Sequence, residues 1–275
     1  MGLRVNTNIS SIASQRQLSR VTNRLNSNYQ RLASGSRIAT AADDPAGLGI
    51  SERMRAKLRS LSVAQRNGRD GISLIQTAEG ALNETNTSLV RMRELAVQAA
   101  NGTLNTDDRS TLDVEFQALV TEIDRLANAT TFNGVDLLNT NATSVDIQIG
   151  TESTESILVG LVDASSSTLG LTVTGFDISN VSNARASLGI IDSAINGITI
   201  ARGNLGATEN RLESAVRSLQ NAELNLAAAE SRIRDVDIAS ETADLTRNSI
   251  LQQAAVSVLS QANLQPQIAL SLLQG

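Results

Sequence analysis

The sequence predicts a mainly α protein. The expected form is an elongated antiparallel helical bundle or coiled-coil rod of paired N- and C-terminal segments, with a small β-hairpin region in the middle. Three observations carry that expectation. Apolar or small residues recur at steps of three and four from Ile191 to Val236, through Ala194, Ile198, Ala201, Leu205, Thr208, Leu212, Ala215, Leu219, Ala222, Leu226, Ala229 and Ile233. At about 1.5 Å per residue a helix of that span is roughly 70 Å long, and its stripe needs a cover from this chain or another copy. A second seam, Ile75, Ala78, Leu82, Thr85, Leu89, Met92, Ala96 and Ala99, supplies the natural partner. Finally, the chain is 41% hydrophobic but 1% aromatic, so burial must come from Ala, Leu, Ile and Val spread along an extended interface rather than from ring-filled globular packing.

In chain order, Met1-Gly2-Leu3-Arg4-Val5 lacks the apolar run and cleavage site of a secretory signal. Residues 5–33 read as a polar amphipathic helix. Val5, Ile9 and Ile12 make one stripe, and Leu18, Val21, Leu25, Asn28 and Leu32 make another. So few apolar groups per turn barely offset the backbone entropy of ordering, about 1–2 kcal/mol per residue, which suits a helix that orders when copies associate. Gly35, Asp43-Asp44-Pro45, Gly47 and Gly49 break the pattern, and Pro45 opens a long helix to about Asn101. Gly68, Gly71 and Gly80 either weaken it or allow close packing. Asn101-Gly102 ends it. Thr106, Asp107 and Asp108 begin the next helix, acids facing its positive end, with Leu112, Phe116, Leu119, Ile123 and Leu126 as its buried stripe.

Beyond residue 130 the pattern changes. Phe132-Asn133-Gly134 reads as a turn. Val145, Ile147 and Ile149 alternate with polar residues, as do Leu169, Leu171 and Val173, and Ile157-Leu158-Val159 is a short β-type run. These predict one or two hairpins, with 150–156 and 165–168 as exposed loops. After Val236, residues 237–244 read as a joint. Leu251, Ala255, Val258 and Ala262 restore helical spacing, Gln265-Pro266 interrupts it, and residues 268–273 form an apolar helix-pairing tail.

Composition also removes chemistry. Without Cys there is no disulfide, thiolate nucleophile or cysteine zinc site. Without His there is no histidine base, triad or metal ligand. No carboxylate pair stands out, so the sequence predicts no enzyme, cofactor or metal site. Residues 1–100 hold 14 basic and 7 acidic side chains, 101–184 hold 2 and 12, and 185–275 hold 7 and 9. A basic N-terminal part and an acidic middle imply two surfaces in different surroundings. Dispersed arginines without interleaved aromatics argue against nucleic acid, and no run approaches a membrane span.

Several blocks together resemble bacterial flagellin at both ends of that family: Val5-Asn6-Thr7-Asn8-Ile9, Arg31-Leu32-Ala33-Ser34-Gly35, Ala41-Ala42-Asp43-Asp44-Pro45-Ala46-Gly47-Leu48, Asp70-Gly71-Ile72-Ser73-Leu74 and Gln76-Thr77-Ala78-Glu79-Gly80-Ala81-Leu82. They continue through Arg93-Glu94-Leu95-Ala96-Val97-Gln98, Glu122-Ile123-Asp124-Arg125, Phe132-Asn133-Gly134, Ser231-Arg232-Ile233-Arg234-Asp235, Ile250-Leu251-Gln252-Gln253-Ala254 and Gln261-Ala262-Asn263. Each block is weak alone, and their joint order is specific. The large outer insertion common in the family is absent, so the chain resembles a short form.

The resemblance implies a structural subunit of the extracellular flagellar filament, exported unfolded by the type III route and assembled at the tip. Residues 1–45 and 237–275 would form an inner coiled-coil domain. Residues 46–140 and 181–236 would form a helical rod domain, with 141–180 as its β-hairpin or variable region. Leu18, Val21, Leu25, Leu32, Leu251, Ala255 and Val258 would serve inner-domain assembly. Leu82, Leu89, Met92, Leu205, Leu212, Leu219 and Leu226 would pack the coiled coil. Implied partners are further copies of the chain, an export chaperone on the C-terminal helices, filament cap and hook-associated proteins, and a host Toll-like receptor facing Arg91, Leu95 and Glu115. A hook-filament junction protein of the same fold is the alternative.

Overall fold

The computed structural model describes residues 7–273, with side chains described through residue 264. The expectations for Met1 to Asn6, and for the side chains of the 268–273 tail, lie outside the described residues. The elements run α1 (Ile9–Ser34), α2 (Pro45–Ala99), α3 (Thr106–Ala129), β1 (Thr131–Phe132), β2 (Val135–Asp136), β3 (Val145–Gln148), β4 (Ser156–Val159), α4 (Val181–Arg234) and α5 (Ile238–Leu273). They divide into two compact units, Lys57–Leu224, and Met1–Ala56 with Asn225–Gly275. Both α2 and α4 contribute residues to each.

The 57–224 unit holds one apolar core. Along α2, every member of the seam Ile75, Ala78, Leu82, Thr85, Leu89, Met92, Ala96 and Ala99 is at most 1% exposed. Thr85 enters that row at no polar cost because its hydroxyl donates back to the Ala81 carbonyl. Ile191, Ala194, Ile198, Ala201, Leu205 and Leu212 of α4 are buried in the same core. Polar pairs across the two helices fix an antiparallel register: Gln65 with Glu223, Gln76 with Glu209, Glu79 with Arg202, and Arg93 with Asp192. Two glycines bring the backbone of α2 close to its neighbours. A Cβ at Gly68 would lie 2.7 Å from Val216 Cγ2, and one at Gly71 would lie 3.1 Å from Ile147 Cγ1. Close packing, not a helix break, is their role; at Gly80 no such contact exists.

The α3 helix starts where the Asn105 side chain accepts the Asp108 amide at 2.7 Å. Arg109 is buried, and its Nε and Nη2 donate to the carbonyls of Ala99 and Asn101, each at 2.9 Å. The cation thus terminates α2, where the free carbonyls carry partial negative charge. Phe116, Val120, Ile123 and Ala127 are the buried row of α3, while Leu112, Leu119 and Leu126 of the expected stripe are half-buried. Phe116 meets Phe176 with ring centroids 5.1 Å apart. β1 and β2 flank Asn133 and Gly134, both at positive φ, as a two-residue primed turn requires. β3 pairs antiparallel with β4, Val145 opposite Val159.

Two expectations for this unit are corrected. Leu169, Leu171 and Val173 form no strand. Leu169 N–H bonds Ser165 O, Gly170 bonds Ser167 and Leu171 bonds Ser166, so the segment is a series of turns. Alternating apolar residues cannot by themselves distinguish a strand from a run of turns; here Leu171 is buried and Val173 exposed. Nor are residues 165–168 wholly exposed. Ser165 and Ser166 are buried, with the Ser166 amide and hydroxyl bonded to the Asp124 carboxylate. Local backbone and side-chain partners satisfy the polar groups and allow the burial.

In the other unit α1 and α5 pair antiparallel, and much of what joins them is polar. Asn8 Nδ2 donates to Ala262 O, Ser11 Oγ to Asn263 Oδ1, Asn28 Nδ2 to Glu241 Oε1, and Asn248 Nδ2 to Asn28 Oδ1. Chain segments also meet between the helices. Arg37 N–H donates to Arg234 O and its guanidinium to Ile233 O, while Val236 N–H donates to Gly35 O. Glu52 pairs with Arg234, and Arg55 with Glu230. The joint expected over 237–244 is shorter, because α5 begins at Ile238 with the Asp237 side chain accepting the Ala239 amide. Nor does Gln265-Pro266 end the helix, since α5 runs unbroken to Leu273. A proline inside a long helix removes one bond and can bend rather than stop it, and the flanking Leu, Ala and Gln are good helix formers.

Candidate functional site: helix faces left open for assembly

The seam of α4 divides into a closed and an open part. From Ile191 to Leu212 its large members are buried, whereas Leu219, Leu226, Ala229, Ile233 and Val236 are half-buried and Ala222 is exposed. The chain alone covers only the first part.

On the α1–α5 pair, Val21 and Leu25 are buried, Leu18 and Leu32 are half-buried, and Asn28 sits among them. Opposite, Ala255 is half-buried, while Leu251 and Val258 remain 43% and 54% exposed. A groove of about 320 Å³ lies between the helices, bounded by Ala13, Gln17, Val21, Leu251, Ala255 and Val258. Ile9 and Ile12, expected as a packing stripe of α1, are at the surface, as are Ile250 and Val256 of α5. Apolar groups on both helices are thus open to another surface.

Of the three residues singled out for receptor contact, two are exposed and bonded together. Arg91 Nε and Nη2 reach Glu115 Oε1 at 2.8 Å, and Nη1 reaches Glu94 Oε2 at 3.0 Å. The bond to the Glu115 carboxylate, then that to Glu94, raises the Arg91 pKa above its ordinary value. Leu95 differs. It is 1% exposed and belongs to the apolar core, so in this conformation it supports the α2 wall and offers no side chain to a partner. Its place in the motif between exposed Glu94 and buried Ala96 could not reveal which way it faces. Sequence reasoning also missed Arg109, whose basic side chain reads as solvated until the ends of α2 and α3 are seen together.

Among the described residues there is no cluster of three or more metal-ligating side chains, and no helix is long and apolar enough to cross a membrane. The architecture is that of a structural protein: a closed helical core in one unit, and in the other a terminal helix pair with apolar faces free. Comparison with known proteins gives the class a family. The profile of the bacterial flagellin N-terminal helical region matches residues 5–143, and that of the C-terminal helical region matches residues 188–273. The chain is 45% identical to a flagellin of Halalkalibacterium halodurans over 98% of its own length and 99% of the relative's. It is 40% identical to a flagellin of Bacillus subtilis over 99% and 100%. The crystal structure of Bacillus cereus flagellin superposes with a TM-score of 0.52 at 34% identity, covering 60% of this chain and 94% of that one. The chain belongs to the bacterial flagellin family, as a short form without a large insertion. It is a structural subunit of the extracellular flagellar filament and associates with copies of itself.

Proposed function

We propose that the α1–α5 pair, within residues 1–45 and 237–275, is the surface through which the subunit builds the inner layer of the filament, with 46–236 as the rod domain around it and 141–180 as that rod's variable hairpin region. The observation that carries this reading is the exposure of Leu251 and Val258 beside an open groove on the α1–α5 pair. Desolvating such apolar area on association contributes roughly 25 cal/mol per Å². The subunit acts structurally and catalyses nothing. It travels unfolded through the type III channel, held by an export chaperone on its C-terminal helices, and is added at the tip beneath a cap protein, above hook-associated proteins. Exposed Arg91 and Glu115 form the receptor-facing pair for a host Toll-like receptor; Arg91→Ala and Glu115→Ala should each weaken receptor binding in a pull-down, and unchanged binding would discard that assignment.

The central experiment seeds purified full-length chain with short filament fragments and follows elongation by electron microscopy. Wild-type chain should give long filaments, and Leu251→Asp with Val258→Asp should not, although the monomer's helical content persists. Wild-type chain that only caps the seeds would favour a junction protein instead.

A further inference from the structure

The 57–224 unit carries a second pair of complementary faces, distant from the terminal helices in sequence. Lys57, Arg59, Arg66 and Arg69 of α2 form a run with no acid within it, and none of the four has a carboxylate partner among the described residues. Arg59, Val63 and Arg66, four and three apart, share one exposed helix face, and Val63 is 44% exposed. Beside that face a groove of about 420 Å³ opens toward the β3–β4 turn, lined by Arg59, Val63, Asn67, Gln148, Thr151 and Ser153. Glu152 also lines it and Asp70 follows Arg69, so the face keeps an excess of cations.

On α3 the signs are reversed. Asp107, Thr111, Val114 and Ala118 are exposed at steps of four, three and four, and Val114 is 71% exposed. Asp107 and Asp108 have no cation partner among the described residues. The nearby cations are committed, Arg91 to Glu115 and Glu94, and Arg109 to backbone carbonyls. Each face therefore presents one exposed valine, with arginines lacking a carboxylate partner along the first face and aspartates lacking a cation partner along the second, among the described residues. They cannot meet within one molecule. The Arg91–Glu115 bond sets Val114 beside position 91 of α2, 28 residues from Val63 on the same continuous helix, or about 42 Å at 1.5 Å per residue.

We propose that the Asp107–Val114 face of one copy docks into the Arg59–Val63–Arg66 groove of the next, Val114 lying beside Val63 and the two aspartates, both N-terminal to Val114 on a helix antiparallel to α2, meeting Arg66 and Arg69. This rests on the filament reading and specifies one contact within it. Because the two faces differ and lie about 42 Å apart along one helix, the association is heterologous, the kind that propagates into an open filament when its rotation does not close. Charge steers the encounter, and the valines exclude water from its centre.

The absence of cysteine makes the test direct. Single variants Val63→Cys and Val114→Cys, both at exposed positions, are mixed, grown on seeds and mildly oxidised. Disulfide-linked pairs joining the two variants should dominate in filaments, and a chain carrying both substitutions should give a ladder. Normal filaments without that crosslink overturn this contact alone. Failure of the unmodified chain to elongate seeds overturns the filament reading and this contact with it. For the charges, Arg66→Glu with Arg69→Glu should slow elongation at low salt by about tenfold or more. Adding Asp107→Lys and Asp108→Lys to the same chain should restore the rate; no recovery would remove the electrostatic pairing.

Discussion

The two units use helices of similar composition to opposite ends. In the 57–224 unit the seams of α2 and α4 close on one another, and α3 with the β3–β4 hairpin seals their flanks, leaving rows of Leu, Ile and Met without solvent contact. In the terminal unit the paired helices bury Val21 and Leu25 but are also joined through Asn, Ser and Glu, and Ile9, Ile250, Leu251 and Val258 stay at the surface. Three and four spacing is present in both. A helix pair buries at most one face of each member, and only where further elements pack alongside does the chain complete its own core. The 57–224 unit closes its own core, and the terminal unit leaves apolar faces open.

The largest effect that would break this contrast comes from the closed seam. Leu82→Ala, at a fully buried position, should cost the monomer about 2–5 kcal/mol, read as a lowered thermal midpoint by circular dichroism. Leu251→Ala should leave that midpoint nearly unchanged while slowing filament elongation. Equal losses of monomer stability from both would mean that the terminal pair is as self-sufficient as the core.

A smaller effect tests how the closed unit ends its helix. Arg109→Met keeps much of the apolar stem but leaves the Ala99 and Asn101 carbonyls without their donors, at about 1–3 kcal/mol. Urea unfolding checks it, and amides of the α2–α3 turn should exchange faster. In the terminal unit, Asn28→Ala removes the bonds to both Glu241 and Asn248. It should lower α1–α5 protection in hydrogen exchange and leave the core amides of α2 untouched; a shift in both would join what the comparison separates.

The mildest prediction concerns acid. Asp43 accepts the Thr40 amide, the Thr40 hydroxyl and an Arg31 guanidinium bond, and the Thr40 backbone N–H is the leading cause of a pKa below its usual value. Because the folded pKa lies below the unfolded one, the ionised carboxylate supports the turn fully above the ordinary aspartate value of about 4. That support disappears as pH falls through the lower folded value. The protection factor of the Thr40 amide, its exchange rate set against that of the unstructured peptide at the same pH, should hold at neutral pH and fall only in that acid window, and Asp43→Asn should lower it at neutral pH while weakening the acid dependence.

Local sequence determined the elements. Periodicity marked α2, α3 and α4, Thr106 with Asp107 and Asp108 marked the start of α3, and Asn133-Gly134 marked the tight turn between β1 and β2, because caps, turns and helical stripes depend on residues a few positions apart. The ordered blocks at both ends likewise identified the flagellin family without coordinates. What sequence left undetermined depends on residues far apart in the chain. A three and four repeat reports that a face is covered but not by what, so it could not say that the α4 seam closes at Leu212 and stays half-open at Leu226. It could not turn Leu95 inward, seat Arg109 on the end of α2, or bury Ser166 against Asp124. Asn28 and Glu241 are separated by 213 positions, and only the tertiary structure makes one the hydrogen-bond partner of the other.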